Sequence, residues 1–79
     1  MGKLFQIGNI IIRVYANDHL PPHFHIVAPD SQALVEIETQ RVLKGSIKSN
    51  RKEIEAWVSA NIETIKAEWN RINPRFPIE

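Results

Sequence analysis

The fold is decided by residues 23–38, which read HFHIVAPDSQALVEIE. Apolar and polar side chains alternate on both sides of residues 29–31, where Pro, Asp and Ser favour a turn. A period of two is typical of a strand that buries one face, because successive side chains point to opposite faces. The pattern therefore predicts two strands, His23–Ala28 and 32–38, joined as an antiparallel hairpin.

The register of this hairpin follows from its apolar residues. Placing Ala28 opposite Ala33 collects the large apolar side chains on one face, whereas a one-residue slip would divide them between two faces. Side chains directly opposite each other have Cβ atoms roughly 4.5–5.5 Å apart, close enough for hydrogen bonding. On the other face, this register predicts two imidazole–carboxylate pairs: His25 with Glu36, and His23 with Glu38.

The flanking sequence extends the hairpin into a larger sheet. Residues 9–16 contain a β-branched and aromatic run that ends at a turn-forming Asn-Asp pair, and residues 41–44 can form a short further strand. We expect an α+β fold in which a three- or four-stranded antiparallel sheet packs one face on one long C-terminal helix. Residues 1–79 form a single domain in this interpretation, strand-rich over 5–47.

The predicted helix covers about residues 51–72. Its apolar residues recur at intervals of three or four and form one stripe, which is typical of a helix that packs on a core. Asn50 and Glu53 have the spacing of a capping box at its start, and Asn73-Pro74 ends it. We expect the two tryptophans of the stripe, Trp57 and Trp69, to belong to the core.

The composition of the chain excludes several classes of protein. The chain has 79 residues and no cysteine, so disulfides and thiolate–zinc ligation are excluded. Its longest apolar run, Ile10-Ile11-Ile12, is far shorter than the ~20 residues that span a bilayer, and its start lacks a secretory signal pattern. We expect a cytoplasmic protein without a membrane partner. The net charge of +1 neither favours nor excludes nucleic acid.

All three histidines lie within residues 17–25, which read NDHLPPHFH. The rigid Pro21-Pro22 pair, in which either peptide bond could be cis or trans, would hold His19 against the face of His23 and His25. Asp18 would approach from the same loop. Arg13 and Tyr15 could join from the preceding strand.

Three hypotheses for this cluster stay open. As a metal site, His23 and His25 with the Asp18 carboxylate match the ligands of zinc or non-haem iron. As a metal-free catalytic site, His19, His23 and His25 would move protons while Arg13 stabilises a phosphate. As a structural or binding surface, the same face would dock a partner through four further residues: Asp18, Tyr15, Glu36 and Glu38.

Four segments resemble one known family. They are IIRVY at 11–15, NDHLPPHFH at 17–25, VEIET at 35–39 and VLKGS at 42–46, and together they resemble the small prokaryotic domain of unknown function 4160 over residues 5–72. The resemblance implies a short bacterial protein whose gene commonly lies beside that of another small protein, as in a toxin–antitoxin pair. It implies no assigned activity.

Two function classes follow. In the first, the chain is one component of a toxin–antitoxin-like module, and its histidine face binds a small protein encoded by the neighbouring gene or a second copy of itself. In the second, it is a hydrolase or ribonuclease, with or without a metal, that acts on RNA or another phosphate ester through the histidines.

Overall fold

The computed structural model describes residues 3–16 and 21–78. Five strands and two helices follow one another: β1 (Lys3–Ile7), β2 (Ile10–Arg13), β3 (His23–Ala28), β4 (Ser31–Glu36), β5 (Val42–Gly45), α1 (Arg51–Ala60) and α2 (Ile62–Ile72). The strands form one antiparallel sheet in the order β1-β2-β3-β4-β5. The α+β class is confirmed. None of the described helices is both long and apolar enough to cross a membrane.

The prediction of three or four strands is wrong, because β1 adds a strand at the edge. A register shift between Lys3 and Phe5 interrupts its pairing with β2, and such a bulge breaks the two-residue alternation that identifies strands in sequence. The Gly8-Asn9 pair indicates this extra strand better than the alternation does, because it forms the two-residue turn between β1 and β2. Gly8 has a φ of 55°, which glycine adopts at little cost in such a hairpin turn.

The prediction of one long helix is also wrong, because Asn61 separates α1 from α2. Asn61 has a φ of −123°, and both its backbone N–H and its Nδ2 donate to Trp57 O at 2.9 Å. A side-chain amide that bonds the backbone offers an alternative to the helical ladder. At the start of α1, Asn50 is left-handed and makes no cap to the backbone, although its Nδ2 donates to Glu53 Oε1 at 3.1 Å.

The β3–β4 hairpin has the predicted faces but a different register. Ala28 pairs with Ser31, so the loop is only Pro29-Asp30, and every pair is shifted by two residues from the expected one. The shorter loop gains a cross-strand pair next to the turn. Because a shift of two preserves the faces, the apolar side chains are still buried together: Phe24, Ile26, Ala33, Val35 and Ile37.

The helices cover this apolar face of the sheet. Trp69 is fully buried, and Trp57 is partly buried and stacks on Phe5 with ring centroids 4.5 Å apart, which confirms that both tryptophans pack with the core. The tail after α2 folds back over its end. Trp69 Nε1 donates to Phe76 O at 2.7 Å, and Asn70 exchanges two hydrogen bonds with the backbone of Ile78.

Candidate functional site

His23, the first residue of β3, is a buried part of the fold. Its side chain is 1% exposed, and its Nδ1–H donates to Pro21 O at 2.8 Å, since a carbonyl can only accept. Its ring centroid lies 5.9 Å from that of Trp69 in α2. The expectation that both imidazoles stand away from the helices is therefore wrong for His23.

His25 occupies the neighbouring position on the same strand face and is half-buried. The shifted register places it between Arg13 on β2 and Leu34 on β4, so the expected pair with Glu36 is not formed. The ring of Tyr15 meets the His25 ring edge-on at a centroid distance of 4.5 Å, and the His23 ring lies 5.0 Å away. Two histidines, an arginine and a tyrosine are thus brought together.

The two predicted glutamates differ in their surroundings. Glu36 lies opposite His23, in place of the expected Glu38. Glu36 Oε1 accepts a hydrogen bond from Thr39 Oγ1 at 2.9 Å and lies 3.8 Å from Arg41 Nη2, so its own turn holds this carboxylate. Glu38 lies in that turn after β4 and is exposed.

The loop that precedes β3 is described only from Pro21 onward, so Asp18 and His19 lie outside the described residues. Both prolines tie this end of the loop to the sheet: Pro21 O accepts from His23, and Pro22 O accepts from the backbone N–H of Ile37 at 3.1 Å.

Within residues 3–16 and 21–78, no group of three or more histidine, aspartate or glutamate side chains is placed to hold a metal ion. Asp18, the third predicted ligand beside His23 and His25, is not among those residues. The zinc or iron site therefore stays a prediction.

The sheet face opposite α1 and α2 is called the open face. Two rows of side chains cross it in register: Arg13, His25, Leu34 and Lys44 in one, and Ile11, Val27 and Gln32 in the next. An open groove of about 340 Å³ lies on its β4–β5 side, lined by Gln32, Leu34, Lys44 and Gly45.

Sequence reasoning missed three members of the open face, Ile11, Gln32 and Lys44. Ile11 was detectable, because it lies two residues before Arg13 and must share its face. Lys44 was harder to place, because a register shift between Leu34 and Val35 changes the alternation of β5 relative to β4.

The model of one protein family, described as a domain of unknown function (DUF4160), matches residues 9–70. The chain belongs to the DUF4160 family. The match confirms the resemblance seen in the sequence and covers β2 to β5, α1 and most of α2, the elements that carry the open face. Searches of curated proteins and of solved structures each returned no match.

Proposed function

We propose that this DUF4160 chain is one component of a toxin–antitoxin-like two-protein module and that the open face binds the other component. The observation that carries the proposal is apolar surface on the open face. Ile11, Val27 and Leu34 lie on three successive strands and are only half-buried, although these strands form the middle of the sheet. Apolar side chains grouped on one partly exposed face are typical of a protein-binding surface.

The positions of the two histidines support binding over acid–base catalysis. A general acid or base must come within hydrogen-bond reach of the substrate. His23 is 1% exposed and bonded to Pro21 O, so it serves the fold. His25 remains half-buried on the open face, beside the exposed Tyr15, where aromatic and imidazole rings can form the anchor of an interface.

The test is binding to the protein encoded by the neighbouring gene. The purified pair is titrated by isothermal calorimetry, first with the parent chain and then with the double variant Val27→Ala/Leu34→Ala. Truncating two apolar contacts inside an interface costs more than about 1 kcal/mol each where they are central, so we expect affinity to fall by about tenfold or more.

The chain offers a matched control for this variant. Val42 and Leu43 on the edge strand β5 are each 38% exposed, so Val42→Ala/Leu43→Ala removes the same atoms from exposed positions. We expect this control to bind within about twofold of the parent, with circular dichroism confirming that both variants fold. Equal losses in the two double variants, or no binding by the parent chain, would contradict the proposal.

A second candidate function, RNA or phosphate-ester hydrolysis, is favoured by one group of neighbouring side chains on the open face. His25 lies opposite Arg13 and contacts Tyr15, which places a proton carrier, a cation and a phenol together on an accessible face. Cleavage of labelled RNA that His25→Ala abolishes would support it. Repeating the assay with a chelator separates metal-dependent from metal-free hydrolysis.

A further inference from the structure

We infer that the partner segment bound by the open face is acidic and amphipathic. This inference rests on the proposed function and names the chemistry of the partner. It comes from the row formed by Arg13, His25, Leu34 and Lys44, which places a cation toward each end and an apolar side chain between them. The complementary surface carries carboxylates that flank apolar side chains.

Among the described strands, the balance of charge on the open face is positive. The five strands contain a single carboxylate, that of Glu36, at the end of β4. Thr39 and Arg41 already contact this group, so it contributes little negative potential to the face. Among the strand residues whose side chains are described, Arg13 and Lys44 therefore dominate the field that a partner meets, and such a field favours carboxylates.

The spacing of the two cations sets the size of the partner segment. Arg13 is on β2 and Lys44 on β5, three strand spacings of about 4.8 Å apart, so their Cα atoms are separated by roughly 14 Å. Between them, Leu34 and the neighbouring Val27 offer apolar contact. The partner thus needs two acidic groups separated by roughly this distance, with apolar side chains between them.

A second copy of the chain is a poor source of this segment. All four carboxylates of the helices already contact their own chain: Glu53 with Asn50, Glu55 with Arg51, Glu63 with Lys66, and Glu68 with Arg71. A helix whose carboxylates already contact neighbouring side chains offers no line of unpaired carboxylates to the row that contains Arg13 and Lys44. The exposed carboxylates Asp30 and Glu38 lie in separate turns at opposite ends of β4 and form no continuous acidic segment. We therefore place the acidic segment on a different protein.

A nucleic acid fits the open face less well than an acidic protein segment. Single strands are bound by several cations along a groove and by aromatic rings on which bases stack. Tyr15 is the one aromatic residue near the row in the described part of the chain, and it makes an edge contact with His25. Most of the remaining face is formed by Ile11, Val27 and Leu34, which are aliphatic and half-buried.

The test uses the protein encoded by the neighbouring gene and charge reversal on this chain. Arg13→Glu/Lys44→Glu is compared with Lys52→Glu/Arg75→Glu, which changes the net charge equally at exposed positions of α1 and the tail. We expect the first double variant to weaken binding by about tenfold or more, and the control by less than about twofold. Raising the salt concentration should weaken the parent complex but affect the Arg13/Lys44 variant much less.

The single variant Lys44→Glu provides the same test at an exposed position if the double variant fails to fold. This inference would be overturned, and the proposed function left intact, by two results together. The charge-reversal variants would bind normally and without salt dependence, and Val27→Ala/Leu34→Ala would bind more weakly. Absence of binding by the parent chain would overturn both.

Two further measurements distinguish other occupants of the face. Binding of a fluorescent oligouridine that Arg13→Glu/Lys44→Glu abolishes would assign the face to RNA. A dimer of the chain alone, seen by sedimentation and dispersed by the same variant, would assign it to a second copy. Either result would overturn the inference.

Discussion

The rings of His23 and Trp69 lie with their centroids 5.9 Å apart, so the first residue of β3 contacts the second half of α2. Because of this contact, the two histidines of β3 have different roles. His23 is buried near Trp69 of α2, whereas His25, two residues later, meets Arg13 and Tyr15 on the open face. One imidazole thus contributes to the fold and the other to the surface.

The first prediction concerns these two histidines. We expect His23→Ala to lower the free energy of unfolding by about 2–3 kcal/mol, because it removes a buried ring and leaves Pro21 O without its donor. We expect His25→Ala to cost less than about 1 kcal/mol, since its ring is half-buried on the open face. Urea denaturation of both variants measures the difference. Equal costs would show that His23 has no special structural role.

The second prediction concerns the core. Trp69→Ala should cost about 3–5 kcal/mol, because Trp69 is fully buried and its Nε1 holds Phe76 O. Trp57→Ala should cost less, since Trp57 is partly exposed at its stack with Phe5. Trp69→Phe removes the hydrogen bond, worth about 1 kcal/mol, together with part of the ring, and should cost less than Trp69→Ala in the same urea titration. A larger cost at Trp57 than at Trp69 would contradict this description of the core.

The third prediction compares two glycines with positive φ. Gly45 has a φ of 79°, and a Cβ there would collide with Gln32 O, whereas Gly8 has a φ of 55° and open space around it. Gly8→Ala should therefore cost only the left-handed backbone term, about 1–2 kcal/mol. Gly45→Ala should cost more than Gly8→Ala, because β4 and β5 must also move apart. Thermal melting of the two variants provides the comparison, and equal shifts would refute it.

The fourth prediction concerns pH. The hydrogen bonds from Arg71 lower the pKa of the Glu68 carboxyl below its ordinary value. A lowered pKa in the folded state stabilises the protein above the ordinary carboxyl pKa, and this stabilisation is lost as the pH falls through the folded value. Arg71→Gln should therefore reduce stability slightly near neutral pH and have no effect in strong acid. Lys52→Gln, which removes an equal charge from α1, should lack this acid-dependent difference in melting temperature.

The sequence could predict the faces of the sheet but could not fix the register. A slip of one residue would expose Phe24 or Ile26, so the pattern excludes it. A slip of two keeps every residue on its face, and the choice between Ser31 and Ala33 as the partner of Ala28 depends on the turn. The helix break at Asn61, whose side chain donates to Trp57 O, leaves the apolar stripe unchanged and so does not show in its spacing.

The two-residue alternation of strand faces also made much of the candidate site predictable from the sequence. Alternation along β3 places His23 and His25 on one side, and their rings are indeed 5.0 Å apart. The burial of His23 was not visible, because one of the residues around it, Trp69, lies 46 positions later along the chain. Tertiary contacts of this kind leave no trace in local patterning.

The meander order of the sheet has a kinetic consequence. Every strand pairs with its neighbour along the chain, so each pairing closes only a short loop, and the entropy lost before contacts form is small. The order needs no crossover connection between distant segments. Strand pairing can therefore proceed hairpin by hairpin as the chain emerges during synthesis, and α1 and α2 then cover a surface that the earlier residues have already assembled.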